Sequence, residues 1–204
     1  MNKPSFYISC PFDTYSGYGA RSRDIVKSII ELDKYDVKLL SQKWGNTPMN
    51  FTQDHKEWGF LKDMIIPGVN QQNKPDIWMQ ITIPSEFQPV GRYNIGCTAG
   101  IESTGCDVTW IEGLNRMDMN WVSSKHSKKV FTEVGFEQKD KQGRTTGQVL
   151  KNQKPIEVVF EGANLDIYKH LKSSEVNLDL SQIKENFCYL FVGHWMQGDM
   201  GHDR

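Results

Sequence analysis

Between Asp13 and Arg21 the chain reads Asp-Thr-Tyr-Ser-Gly-Tyr-Gly-Ala-Arg, with Gly17 and Gly19 set among hydroxyls, Tyr18 and the Arg21 guanidinium. Glycines let a backbone turn tightly and approach a ligand closely, and a helix starting behind them offers free N–H groups to an anion or a hydroxyl-rich molecule. Without a ligand the same stretch is a tight strand-to-helix connection. It is not a dinucleotide fingerprint, because the third glycine of that pattern would fall at Ser22 and the following strand ends Leu40-Ser41-Gln42 with no acidic residue.

Glu102 is the second feature, flanked by Gly100, Ser103 and Thr104 just past an apolar stretch. A carboxylate there can bind an acceptor hydroxyl or offset an oxocarbenium-like charge, and it can equally cap the next turn. Glu112, Asn115 and Asp118 form a polar cluster further on, read as a loop that is either a solvated face or a binding surface. His126 falls at the start of an expected helix, as a solvent-facing neutral imidazole or a ligand contact. The six tryptophans read mostly as core residues, and Trp44 and Trp195, which stand at strand ends, are the better candidates to stack on a sugar ring. The four cysteines form no C-x-x-C pair and the five histidines no H-E-x-x-H, so the reading is free thiols, no structural metal and no cofactor.

These residues need a scaffold. Ser5 to Cys10 reads as a strand that Pro11 stops, and Ala20, Ile25, Val26, Ile29, Ile30 and Leu32 recur at helical spacing from about Gly19 to Leu32. Val37 to Leu40 gives a second strand. Strand, loop, helix and strand in succession demand a right-handed crossover and a parallel sheet, so the class is α/β, a Rossmann-like doubly wound sheet whose strand order reverses near Gly17. A weak helix near Lys56 to Met64 follows, then strands at Asp76 to Ile81, Tyr93 to Ala99 and Asn120 to Ser123. Ser124 caps a short helix from Lys125 to Val134, Lys139 to Lys154 is an exposed loop or hairpin, and Pro155 to Phe160 is a further strand. Ser173 to Glu185 reads as loop with a short helix, and Phe187 to Val192 as an apolar last strand.

Size allows one full core in 204 residues and the start of a second: 1–170 as one domain, 171–204 as a linker and first strand of another. A net charge of −1 supplies no field to hold a phosphate backbone, which argues against nucleic acid. No run of about eighteen apolar residues and no signal-peptide pattern occurs, so a cytoplasmic protein with no integral membrane segment is expected.

Four stretches in order carry a resemblance. Ser9 to Asp24 (Ser-Cys-Pro-Phe-Asp-Thr-Tyr-Ser-Gly-Tyr-Gly-Ala-Arg-Ser-Arg-Asp) resembles the opening of retaining glycosyltransferases of the GT-B fold, family-four type, including phage-borne examples. Trp110 to Ser127 is similar to the segment leading to that family's V-x-S-x-x-S pattern, Val159 to Tyr168 to its N-G-V-D-x-x-x-F crossing into the second domain, and Leu190 to Trp195 to the first strand of the donor domain. The resemblance implies an N-terminal acceptor-side domain. It implies a nucleotide-sugar donor, a carbohydrate or other hydroxyl acceptor, and transfer with retention. It implies that the loop with Gly17, Tyr18, Gly19 and Arg21 faces a substrate cleft and that Arg204 is a donor-phosphate contact, while Glu102 as the catalytic group and Asn115 and His126 as substrate-binding residues are read from their own chemistry and position. The family's usual histidine is missing, since the strand end here reads Gly96-Cys97-Thr98-Ala99-Gly100-Ile101-Glu102, and its paired-glutamate element would lie past residue 204. A second domain only begun would leave this chain inactive alone and its last strand open to self-association. A nucleotide-sugar epimerase and a non-catalytic α/β binding module are the alternatives on the same architecture.

Overall fold

The computed structural model describes residues 3–70, 72, 74–140, 142–179 and 181–190. Strand β1 (Ser5–Cys10) buries Phe6, Ile8 and Cys10, and Pro11, with no N–H to give a ladder, ends it. Helix α1 (Gly17–Glu31) begins two residues earlier than the apolar spacing suggests, because the Ser16 hydroxyl caps it by accepting from Gly19 N at 2.9 Å. Gly17, Tyr18 and Gly19 are therefore the first helical turn and not a loop. Ile25, Val26 and Ile29 form its buried stripe, with Asp24, Lys27 and Glu31 in solvent.

Strand β2 (Asp36–Ser41) pairs parallel with β1, and its outer edge is covered where Ile66 N donates to Leu39 O at 2.9 Å. A one-turn helix α2 (Phe51–Asp54) and a 3-10 stretch over Lys56–Met64 lead to β3 (Ile77–Ile81) and β4 (Tyr93–Thr98). Then come α3 (Val108–Arg116), β5 (Met119–Val122), α4 (Lys125–Glu133), an antiparallel hairpin of β6 (Gly135–Lys139) and β7 (Thr145–Lys151), and β8 (Ile156–Val158). Helix α3 falls where a loop was expected, so Glu112 and Asn115 sit on a helix and Asp118 just beyond it. The Asp107 carboxylate caps it, accepting from Thr109 N at 2.8 Å, while Trp110, Ile111 and Leu114 turn inward.

The six parallel strands lie in the order β2-β1-β3-β4-β5-β8, so the direction of winding reverses between β1 and β3, at the strand that leads to Gly17. This is a Rossmann-like doubly wound α/β sheet. One core, with Ile8, Val26, Leu39 and Met79, lies under α1, and the other, with Trp78, Ile111, Leu114 and Phe131, under α3 and α4. Each such side chain contributes about 1.5–3 kcal/mol by burial.

The chain divides into two units, Met1–Glu161 and Gly162–Arg204. The described part of the second carries one 3-10 turn, Ser173–Glu175, and exposes Leu165, Ile167, Tyr168, Leu178, Phe187, Tyr189 and Leu190. The strand expected over Phe187 to Val192 is absent from its described residues, Phe187 to Leu190, and Tyr189 is 93% exposed. A strand needs a partner for its N–H and C=O groups, and no described residue pairs with this one. Phe191 and Val192 lie outside the described residues, as do His194, Trp195 and Arg204. Among the described residues no helix is long and apolar enough to cross a membrane.

Candidate functional site

The carboxyl ends of β1, β2, β4, β5 and β8 bring sequence-distant residues to one edge of the sheet. From β1 the chain makes a turn in which Thr14 N and Oγ1 donate to Pro11 O at 3.0 and 2.8 Å. Arg23, buried beneath it, donates to Phe12 O at 2.7 Å and Thr14 O at 2.9 Å, with its guanidinium 3.4 Å from the Phe51 ring centre. Burial lowers the Arg23 pKa, and Asp24 and Asp13 oppose that. Asp13 in turn accepts from Thr52 N and Oγ1 at 2.8 and 2.7 Å, tying the turn to α2. Gly19 lies against this turn: a Cβ there would meet Thr14 O at 2.4 Å. At Gly17 a Cβ would meet nothing within 4 Å.

Tyr18 links the helix start to β4. Its hydroxyl shares a 3.0 Å hydrogen bond with Thr98 Oγ1 and accepts from Ala99 N at 3.1 Å. Its ring stacks on Trp44, past the end of β2, at 3.9 Å and 22°. Burial raises the phenol's pKa, the bonds to Thr98 and Ala99 oppose the rise, and the nearby Glu102 charge adds to it, so the group stays protonated through neutral pH.

Past β4 the chain turns at Gly100, whose φ of +103° is costly for any other residue. Ser123 Oγ, beyond β5, donates to Ala99 O, and Ser127 Oγ accepts from Ile101 N at 3.2 Å. Ser124 caps α4 as expected, accepting from Ser127 N at 3.0 Å. His126, exposed on the first turn of α4, has Nε2 3.1 Å from Ser103 O, one residue from Glu102. Glu102 is exposed on the loop four residues past the end of β4. Tyr18 is thus tied to the end of β4 at Thr98 and Ala99, and His126 to the loop beyond it at Ser103, the residue after Glu102.

Arg21 reaches from α1 to the end of β8, donating to Val159 O, with its Nε 3.7 Å from Glu161 Oε1. That separation is beyond hydrogen-bond range, and the buried Nε has no partner. The cysteine at its side, Cys97, is pushed up to about 11 by burial, with Arg21 opposing. Asn115 stands apart from the corner. Its Nδ2 donates to Lys151 O at 2.9 Å and its Oδ1 accepts from Gln153 N at 2.7 Å, so both ends hold the backbone where β7 ends. The sequence reading passed over Thr98 and Ser123, polar residues at strand ends; their position at a carboxyl edge was the available signal.

Among the described residues no three His, Cys, Asp or Glu side chains gather in a way that could hold a metal ion. No family model matches the chain, no curated protein matches it, and no solved structure matches it.

Proposed function

We propose that this chain is the acceptor-side half of a retaining glycosyltransferase that uses a nucleotide-sugar donor. The observation that supports the reading most is the convergence of its distant motifs. The Ser9–Asp24 stretch meets the Val159–Tyr168 stretch where Arg21 bonds Val159, and it meets the Thr98–Glu102 strand end through Tyr18. The Trp110–Ser127 stretch joins the same strand end through Ser123, Ser127 and His126. In doubly wound sheets ligands bind at this edge and at this reversal of strand order.

In this reading Glu102 accepts the proton of an acceptor hydroxyl or stabilises positive charge at the sugar carbon as the leaving group departs. Gly17, exposed at the start of α1, lets the ligand approach the backbone of the first helical turn, where the N–H groups favour an anionic donor. Arg204, which the resemblance implies as a donor-phosphate contact, lies outside the described residues.

The test is a screen of nucleotide sugars against the full-length protein, followed by mass spectrometry for released nucleoside diphosphate. Consumption of a donor, greatly reduced in Glu102→Gln, supports the reading. Consumption that is indifferent to Glu102→Gln and Tyr18→Phe would move the chemistry elsewhere.

A further inference from the structure

Residues 99–106 join β4 to α3 and carry Glu102, yet among the described residues this stretch makes no backbone-to-backbone hydrogen bond. Where its backbone is paired, the partner is a side chain. Ala99 N donates to the Tyr18 hydroxyl, and Ala99 O accepts from Ser123 Oγ. Ile101 N donates to Ser127 Oγ at 3.2 Å, and Ser103 O accepts from His126 Nε2 at 3.1 Å. Three side chains at or just before the first turn of α4 thus hold alternate residues of the loop, and the two residues flanking Glu102 are among those held. Of these two anchors beside Glu102, His126 is exposed and Ser127 is 2% exposed.

The Ser127 hydroxyl does not cap its own helix. Ser124 does that by accepting from Ser127 N at 3.0 Å, and alanine inside a helix would support it better than serine. Ser127 Oγ turns to the loop instead. It accepts from Ile101 N, and Ser124 Oγ at 2.9 Å and Ile101 O at 3.4 Å lie within reach of its single proton. The loop is shaped to this oxygen: Gly100 has a φ of +103°, and a Cβ there would fall 2.0 Å from Ser127 Oγ. We infer that Ser127 is a positioning residue, fixing through Ile101 N the backbone that carries the Glu102 carboxylate. This rests on the transferase reading for what Glu102 does, and on the hydrogen bonds alone for how the loop is held. A group that takes a proton or faces developing charge is sensitive to a misplacement of about 1 Å, so loosening the loop should cost turnover more than substrate binding.

The experiment compares the full-length protein with Ser127→Ala, Gly100→Ala and the double variant. Amide hydrogen exchange by NMR reads the loop, circular dichroism reads Tm, and turnover of the nucleotide sugar found in the donor screen reads kcat and KM. In Ser127→Ala the Ile101 amide should exchange about tenfold faster, while the amides of β4 and α4 and the Tm stay near those of the parent. With the donor, kcat should fall about tenfold or more at nearly unchanged KM. Gly100→Ala attacks the same contact from the loop side, so the double variant should be no slower than the slower single one. Ile101 exchange equal to the parent's, a loosened loop with kcat intact, a loss of kcat that merely follows a fall in Tm, or losses that multiply in the double variant each overturn the inference. If no version consumes a donor, the transferase reading falls, and the exchange of Ile101 alone decides whether Ser127 holds the loop.

Discussion

The two glycines of the first helical turn should respond oppositely to the same substitution. In Gly19→Ala the new Cβ would come within 2.4 Å of Thr14 O, 2.7 Å of Thr14 Oγ1 and 3.0 Å of Pro11 O. Two of these are backbone carbonyls of a turn that cannot retreat cheaply, since Thr14 O accepts from buried Arg23 at 2.9 Å and Pro11 O closes the turn from Thr14 N at 3.0 Å. Forcing a methyl into such a place costs about 1–3 kcal/mol, and the 2.4 Å approach puts it at the upper end. The better helix propensity of alanine returns at most about 1 kcal/mol. The net loss should be about 2 kcal/mol, a Tm lower by roughly 4–8 °C for a unit of this size. In Gly17→Ala the Cβ meets nothing within 4 Å, so only the propensity gain remains and Tm should be unchanged or slightly raised. If a ligand backs onto the Gly17 backbone, that stable variant should nonetheless lose turnover by about tenfold or more. Melting curves by circular dichroism on both variants, with donor turnover on Gly17→Ala, make the test. A Gly19→Ala protein as stable as the parent, or a destabilised Gly17→Ala, refutes the steric argument.

Other perturbations follow from the same geometry. Tyr18→Phe should keep the stack on Trp44 but strip Ala99 N and Thr98 of a partner, costing about 1–3 kcal/mol in urea denaturation. Cys10, pushed up to about 12 by burial, and Cys97, up to about 11, should resist a thiol reagent at mild alkaline pH until the chain unfolds, with exposed Cys188 reacting first. Reaction of Cys10 in the native state at the rate of Cys188 would contradict that burial. Asp76 accepts from Ser5 N and Oγ at 2.9 Å and pairs with Arg92, so its folded pKa is depressed. Its contribution is present above the unfolded carboxyl pKa, about 4, and is lost as pH falls through the lower folded value. Asp76→Asn should therefore flatten the acid limb of the stability curve, measured by denaturation across pH.

Much of the architecture was legible because its signals are local. Alternating strand and helix periods marked β1, α1 and β2, Pro11 marked a strand end, and Ser124 marked a helix cap. Where tertiary packing decides, the signals fell silent. Helix α3 was hidden because Gly113 interrupts it, and that glycine is there for a neighbour: a Cβ would lie 1.7 Å from Pro84 O. Phe187 to Leu190 looked like a strand by apolarity alone, but a ladder partner is not written in the segment itself. In the candidate site, the Gly17 to Arg21 stretch was visible by composition. The joining of Tyr18 to Thr98 spans 80 residues, and the turning of Asn115 toward Lys151 and Gln153 depends on where β7 ends; neither has a local signature.

The most direct measurement of the central claim is the configuration of the sugar released when the full-length protein consumes its nucleotide-sugar donor, read by proton NMR in the first minutes before the free sugar mutarotates. The account predicts release of the nucleoside diphosphate together with a sugar of the donor's own anomeric configuration, and loss of that release in Glu102→Gln at unchanged Tm. Inverted product, or no consumption of any nucleotide sugar by a folded full-length protein, would contradict it.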